Sequence, residues 1–274
     1  MVNDIIDYNA MDAGAKCFPL YYYEENNSSQ KGLFDTEESQ KYIRRDAISD
    51  FILERAKQQY GKSVNKEDIF YYVYGFLHSI DYRLAFANDL KKMLPRLPLV
   101  ENVKDFWSFS KAGRQLTELH LNYETVAPSA DVNVIGELSN NFKVDKMRFT
   151  KKDQKDTIIY NSQISITNIP SKAYEYVVNG KSAIEWIIER FQITTNKDSG
   201  IINNPNEWAD EVGKPRYILD LLLSIINVSV QTVDIVNSLP KVDFQSGSII
   251  GEKVKMYHSK EDDEQMNIAA EPEA

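Results

Sequence analysis

The chain has 274 residues, enough for one large domain or two small ones with a substantial hydrophobic core. Hydrophobic residues make up 42% and aromatic residues 11% of the sequence, which excludes disorder for most of it. The single cysteine excludes an internal disulfide and a cysteine-based metal cluster. The sequence shows neither an apolar run of about 18 residues nor a secretory leader, so we predict a cytoplasmic protein without a membrane span.

The formal net charge is −9, and the excess of acidic residues lies at the two ends of the chain. Residues 1–50 contain ten acidic and five basic residues, and residues 252–274 contain seven and three. One internal segment, residues 143–156, is basic, with six Lys or Arg against three Asp. Because an acidic protein attracts nucleic acid weakly, this distribution favours a DNA reader held in place by other modules over a free-standing binder.

The N-terminal half has a helical period after residue 42. Residues 1–42 lack a clear period, and we predict an irregular lead-in with one strand at residues 18–23. Apolar residues then recur every three or four positions, which predicts helices over residues 46–60, 66–78, 81–93 and 104–123. Asn65 is placed to cap the second helix, and Pro95 ends the third.

The period changes after residue 127. Alternation predicts strands over residues 142–149, 157–160 and 163–167. Ser171 is placed to cap a short helix that ends near Asn179-Gly180, and residues 182–191 predict a second one. Residues 194–214 are polar and predict a long loop. Residues 216–239 are apolar on most sides, which predicts a long buried helix.

These elements predict an α+β fold with a helical N-terminal half, a short antiparallel sheet in the middle and a long buried helix near the C-terminus. We divide the chain into four parts. They are an irregular lead-in over residues 1–42, a helical subdomain over 43–126, an α+β subdomain over 127–245 and an acidic polar tail over 246–274.

The sequence contains no pattern that predicts catalysis or a metal site. Gly61-Lys62-Ser63 lacks both the first glycine and the preceding strand of a phosphate-binding loop. The three histidines do not have the paired spacing of zinc ligands. Residues 204–208 resemble the catalytic loop of amino-group methyltransferases but lack its second proline and neighbouring aromatic residue, so we predict a capped turn.

The basic segment, residues 143–156, is the best candidate for a binding surface. Lysines in a loop beside a short strand pair reach DNA phosphates, and Arg148 is suited to base edges. The alternative is an ordinary solvent-exposed hairpin whose lysines prevent pairing of its edge with other chains. Without the family resemblance described below, the sequence favours this alternative over a binding surface. The tyrosines of residues 21–23 and 70–74 have the chemistry to stack on bases, but we predict that they pack in the core.

Three long strings are distinctive. They are DFWSFSKAGRQLTELHLNYE at residues 105–124, IPSKAYEYVVNGKSAIEWIIER at residues 169–190 and PRYILDLLLS at residues 215–224. With shorter strings such as KEDIFYYVYG at residues 66–75, they resemble the C-terminal specificity region of type ISP restriction-modification enzymes, which are single-chain bacterial proteins. The likeness covers approximately residues 16–242 and includes no catalytic motif.

In type ISP enzymes one polypeptide carries a nuclease, a helicase-like ATPase, a coupler, an adenine methyltransferase and a target recognition domain. The resemblance implies that this chain is the last of these and reads a short asymmetric duplex site for the methyltransferase and the ATP-dependent nuclease. The implied partners are double-stranded DNA and the methyltransferase and coupler domains of the parent chain. S-adenosylmethionine, ATP and Mg would belong to those other domains, and this fragment would be no enzyme.

A second interpretation stays open at this point. The chain would then be a non-catalytic docking domain that packs on the methyltransferase or coupler and makes little contact with DNA.

The resemblance transfers no base-contacting residues, because members of the family read different sites. We therefore choose DNA-binding candidates from charge and predicted loops. The first group is Lys143, Lys146, Arg148, Lys151, Lys152 and Lys155, and the second group is Lys111, Arg114, Lys172 and Lys181.

Overall fold

The structure is a computed structural model that describes residues 1–2, 17–26, 41–136, 141–151 and 153–244. Its N-terminal half is helical, as predicted. The helices are α1 (Asp50–Tyr60), α2 (Lys66–Leu77), α3 (Ile80–Ala85) and α4 (Val103–Leu121). Asn65 caps α2 as expected, in a reciprocal capping box with Asp68.

The predicted lead-in contains two paired strands. Strand β1 (Tyr21–Glu25) pairs antiparallel with β2 (Tyr42–Asp46). Helix α1 consequently starts four residues later than predicted, where the Ser49 side chain accepts a hydrogen bond from the backbone of Ile52. The Lys66 ammonium lies 3.3 Å from Asp46 and 2.7 Å from Asp50, which ties this ribbon and α1 to α2. The remainder of the lead-in lies mostly outside the described residues.

Helices α2 and α4 approach each other closely at two glycines. A Cβ atom on Gly113 would lie 1.8 Å from the carbonyl oxygen of Tyr71, and one on Gly75 would lie 2.2 Å from that of Phe109. This close crossing brings aromatic rings together around Phe106, whose ring stacks on Tyr60 at a centroid distance of 4.0 Å. The result is an aromatic core for the helical half.

The prediction for the third helix was wrong in its length. Helix α3 ends at Ala85, whereas the prediction ran from residue 81 to residue 93. Turns follow over residues 86–92, where Asn88 and Asp89 favour local turns over helix. This arrangement leaves Leu84, Met93 and Leu94 exposed by 73%, 51% and 54%.

The C-terminal half is built on a four-stranded antiparallel sheet. Its strands are β3 (Asn133–Gly136), β4 (Arg148–Lys151), β5 (Gln154–Ile159) and β6 (Ile164–Thr167). Their order across the sheet is β3-β6-β5-β4, so β3 and β4 are the two edges. The two strands predicted at residues 157–160 and 163–167 correspond to β5 and β6.

The strand predicted over residues 142–149 was largely wrong, because only its last two residues lie in β4. Val144 and Met147 are both buried, and their spacing of three does not fit a strand period. The Asn206 side chain also forms both backbone hydrogen bonds of Val144. Its oxygen accepts from the Val144 amide at 2.9 Å, and its nitrogen donates to the Val144 carbonyl at 2.8 Å. This backbone is therefore held by a side chain and not by a strand.

The helix predicted after Ser171 is one 3-10 turn, Ser171–Tyr174, without a side-chain cap. A small hairpin follows, β7 (Val177–Val178) and β8 (Lys181–Ser182). Asn179 and Gly180 form its turn with φ angles of 50° and 83°, as tight hairpin turns require. Helix α5 (Ala183–Arg190) begins at a Ser182 cap, close to the prediction.

The prediction of a long loop over residues 194–214 was also wrong. The segment contains a hairpin, β9 (Thr194–Thr195) with β10 (Ile202–Asn203), and the short helix α6 (Pro205–Glu211). Asn204 caps α6 by accepting a hydrogen bond from the amide of Asn206. The expected capped turn thus continues into a helix.

Helix α7 (Tyr217–Asn237) is the long buried helix that the sequence predicts. Ile218, Leu222 and Ile226 pack in a cluster with the sheet and α5, whereas Ile235 and Val236 pack against the aromatic core of the helical half. Of the described helices, α7 is the one that is long and apolar enough to span a membrane, since an 18-residue window of it has a mean hydropathy of 1.6. Because 67% of that window is buried inside the protein, α7 is a core helix.

His120 links α4 to both neighbouring layers. Its Nδ1 lies 2.7 Å from the Tyr74 hydroxyl on α2, its Nε2 lies 3.0 Å from the Thr232 hydroxyl on α7, and its ring stacks on Tyr176. Burial lowers the pKa of His120 to about 4. The imidazole is therefore neutral near pH 7, with one nitrogen donating and the other accepting.

We predict that Gly113→Ala destabilises the protein by roughly 3 kcal/mol, because the new methyl group must push the Tyr71 backbone away. Gly213→Ala is the control, since it meets open space and costs only about 1 kcal/mol for its left-handed backbone. Urea denaturation of both variants measures the difference. Equal losses of stability in the two variants would show that the close approach of α2 and α4 does not require a glycine at position 113.

Candidate nucleic-acid interface

The edge strand β4 carries the central part of the basic segment. Arg148 pairs with Ile159 of β5 and Lys151 with Gln154, and the register shifts between Phe149 and Lys151. Lys146, Arg148 and Lys151 are all exposed, and none forms an ion pair with any residue that the structure describes. We call these three residues the free cations. Their charges are available to an external anion.

Lys155 has a structural role. Its ammonium lies 2.8 Å from the Glu185 carboxylate of α5 and over the rings of Phe149 and Tyr174. The hydrogen bond from Lys155 lowers the pKa of Glu185 to about 2, and the Ser182 cap contributes in the same direction. Lys155 thus fastens α5 to the sheet, and its charge is already neutralised.

Four further candidates are paired with acidic side chains, three of them lysines. Lys143 lies 2.7 Å from Asp210, Lys172 pairs with Asp234, and Lys181 pairs with Glu189. Because each partner cancels the charge locally, these lysines attract phosphate less than unpaired ones do.

Arg114, the fourth, is held most firmly. Its guanidinium donates to Asp68 at 2.8 Å, lies near Glu67 and covers the ring of Tyr71. Lys111, by contrast, is exposed on α4 and forms no ion pair with the described part of the chain. It belongs to the helical half and not to the sheet, and Lys152 lies outside the described residues.

The sequence reasoning missed a second element beside the basic segment. The amide of Ile193, just before β9, donates to the carbonyl of Asp145 at 3.1 Å. Asn206, just after the hairpin, holds Val144. Both ends of the β9–β10 hairpin therefore meet the backbone between Lys143 and Lys146. Its sequence signal was ITT and II on either side of NKDSG, since β-branched residues flanking turn residues predict a hairpin.

The prediction that the N-terminal tyrosines pack in the core was wrong for two of them. Tyr22 and Tyr23 are exposed by 43% and 66%, because β1 pairs only with β2. Tyr72, in the second tyrosine group, is buried in the aromatic core as expected.

The family of the chain follows from comparison with known proteins. Residues 1–221 match the model of the type ISP C-terminal specificity domain. The chain belongs to this family. No match was found among curated proteins.

Solved structures of related enzymes are similar to the chain. A structure titled "ATP-dependent Type ISP restriction-modification enzyme LlaBIII bound to DNA" is 42% identical over 87% of this chain, with a TM-score of 0.71. A nuclease-deletion mutant of the type ISP enzyme LlaGI, in complex with a DNA substrate mimic, is 46% identical over 74%, with a TM-score of 0.62. A DrdV–DNA complex is 31% identical over 71%, with a TM-score of 0.59. The chain spans 14% of the LlaBIII and LlaGI chains and 20% of the DrdV chain.

We predict that Lys155→Met lowers the melting temperature, because the methionine keeps the apolar stem but loses the ion pair. The loss is about 1 kcal/mol or less, since both groups are partly exposed. The depressed pKa of Glu185 stabilises the fold above pH 4.5, and this contribution disappears as the pH falls towards 2. The variant should therefore lose less stability than the wild type over that range. Lys151→Met is the exposed control, and identical acid profiles for all three proteins would contradict the assignment.

Proposed function

We propose that this chain is the DNA target recognition domain of a type ISP restriction-modification enzyme. It would read a short asymmetric duplex site for the adenine methyltransferase and the ATP-dependent nuclease of the parent chain. The observation that carries the proposal is the likeness to LlaBIII and LlaGI, whose structures were determined with DNA or a DNA mimic bound. The free cations on and beside an edge strand supply a surface for that contact.

The free cations would serve two purposes in DNA binding: some would position the protein on the phosphate backbone, and one would contribute to sequence recognition. Lys146 and Lys151 are suited to phosphates, and Arg148 can donate two hydrogen bonds to a guanine edge. Because most of the other candidates are neutralised by acidic partners, the attraction to phosphate is modest. Recognition then depends on base contacts and DNA shape more than on charge.

We propose that the chemistry belongs to other domains of the parent chain. Those domains would hold S-adenosylmethionine, ATP and Mg. In support, the chain spans only 14% of the LlaBIII chain, whose structure is titled as an ATP-dependent restriction-modification enzyme.

A second candidate function has its own observation. The exposed Leu84, Met93 and Leu94 lie close together in sequence around the turns after α3, and exposed apolar clusters favour protein partners. The chain would then dock on the methyltransferase or coupler and make little contact with DNA. Size-exclusion chromatography with the methyltransferase portion, with and without DNA, separates this function from target recognition.

We predict that Lys146→Ala with Lys151→Ala weakens binding to all duplexes. The logarithm of the affinity should also depend less steeply on the logarithm of the salt concentration, by about one for each phosphate that the variant no longer binds. Fluorescence anisotropy over a range of salt concentrations measures this slope. Lys172→Ala with Lys181→Ala is the matched control, because both lysines are already paired. An unchanged slope in the first variant would remove the two substituted lysines from the interface.

We predict that the chain alone transfers no methyl group from labelled S-adenosylmethionine to duplex DNA. The parent methyltransferase domain joined to this chain serves as the positive control. Turnover by the purified chain, abolished by an Asn204→Ala substitution, would contradict the division of labour that we propose.

The test of the function is selection of binding sites from a randomised duplex pool. The chain is used alone and joined to its methyltransferase. Target recognition predicts enrichment of one asymmetric short sequence in at least one arm. Failure of both arms with folded protein would favour the docking function.

A further inference from the structure

The hairpin of residues 193–203 projects from the body of the protein. Every residue in this range is exposed. Strand β9 pairs only with β10, and the pair forms a separate two-stranded sheet. We call this element the 193–203 hairpin. It leaves both faces of a narrow β-ribbon open to solvent.

The turn of the hairpin is fixed by its own hydrogen bonds. The Asn196 side-chain oxygen accepts from the amides of Asp198 at 2.9 Å and Ser199 at 3.0 Å. The Asn196 amide donates to the carbonyl of Ile201 at 2.9 Å, and Gly200 takes the left-handed conformation with a φ of 70°. The flanking Ile and Thr residues are β-branched and restricted in their side-chain rotations. The hairpin is therefore preorganised for binding.

The base of the hairpin positions it next to the free cations. Ile193 is bonded to Asp145, the residue before Lys146, and Asn206 fixes Val144. Asn206 is itself buried, with 5% exposure. A ligand drawn by Lys146 and Arg148 would thus meet the hairpin as well.

The register places different chemistry on the two faces of the ribbon. Ile202 lies opposite Thr195, and Asn203 lies opposite Thr194. Because neighbouring residues of a strand point to opposite faces, one face carries the Ile202–Thr195 pair and the other carries the Asn203–Thr194 pair. Ile201 and Ile202 are exposed by 68% and 62%, although the chain has ample apolar core. Lys197, in the turn, forms no ion pair within the described ranges.

These features match the major groove of DNA. The groove admits a two-stranded β-ribbon. Methyl groups of Thr and aliphatic side chains contact the thymine methyl group, and Asn bonds to the adenine edge at N6 and N7. Lysine side chains contact phosphate oxygens of the DNA backbone.

We propose that the 193–203 hairpin enters the major groove and reads bases of the target site. Ile202 and Thr195 contact thymine methyl groups, Asn203 binds an adenine edge, and Lys197 binds a phosphate. This inference rests on the proposed function and adds to it the element that sets sequence choice. Lys146 and Lys151 then hold the phosphate backbone beside the groove.

The test repeats the pool selection, with the full chain joined to its methyltransferase, for wild type, Ile202→Ser, Asn203→Ala and a control. The control is Ile135→Ser, because Ile135 is 57% exposed on β3, the sheet edge opposite β4. All three positions are on the surface, so thermal melts should match the wild type. Anisotropy with the wild-type site gives the affinity of each protein.

The hairpin variants should select sequences that are degenerate at one or two A·T pairs and unchanged elsewhere. Their affinity for the wild-type site should fall roughly 10- to 100-fold. The control should select the wild-type site at wild-type affinity.

Two results would overturn the inference while leaving the proposed function intact. One is that both hairpin variants select the wild-type sequence with unchanged affinity. The other is that they keep the sequence but no longer co-elute with the separate methyltransferase, which would make the hairpin a protein-docking element. If the wild type itself enriches no sequence, the proposed function fails and this inference fails with it.

Discussion

Burial of α7 from two sides is the constraint on which the rest of the structure depends. Its first half lies in the cluster with the sheet and α5, and its last turns meet the aromatic core around α2 and α4. Two buried polar side chains of α7 form hydrogen bonds to other parts of the chain. The Ser224 hydroxyl donates to the carbonyl of Val126, and the Thr232 hydroxyl bonds to His120. One helix thus holds the sheet and the helical half together. The β4 edge and the 193–203 hairpin are presented from this shared core.

The ion pairs explain why the basic residues of the chain give it little positive surface. Lys143, Lys155, Lys172, Lys181 and Arg114 all face acidic partners, so they hold the fold together and leave little net positive charge. We expect a domain of this kind to have weak non-specific affinity for DNA. In the proposed function, such weak affinity would suit a module whose neighbouring domains hold the duplex, because the module would then only have to discriminate between sequences.

The sequence predicted those elements whose signals are local. Helix α2 has its cap at Asn65, α4 has a stripe of apolar residues, and α7 is apolar on most sides, and all three were found close to the predicted ranges. The strands predicted over residues 157–160 and 163–167 likewise correspond to the β5–β6 pair. Local propensity and tertiary packing agree at these positions.

The errors arise from interactions between distant residues. Asn206 lies 62 residues from Val144 yet holds its backbone, which is why the alternating pattern at residues 142–149 did not become a strand. Lys143 pairs with Asp210, and Lys172 pairs with Asp234, each 62 residues or more away. The order of basic residues along the chain therefore could not separate free charges from neutralised ones. The 193–203 hairpin was missed because its polar turn resembled a loop.

The face formed by β4 and the 193–203 hairpin is the surface that we expect to contact duplex DNA. Hydrogen–deuterium exchange of the chain, with and without the duplex that it selects, is the decisive measurement. We predict slower exchange over residues 143–151 and 193–203 when DNA is bound, and no change at β3. Protection confined to the turns after α3, with unchanged exchange over the two predicted segments, would contradict this assignment.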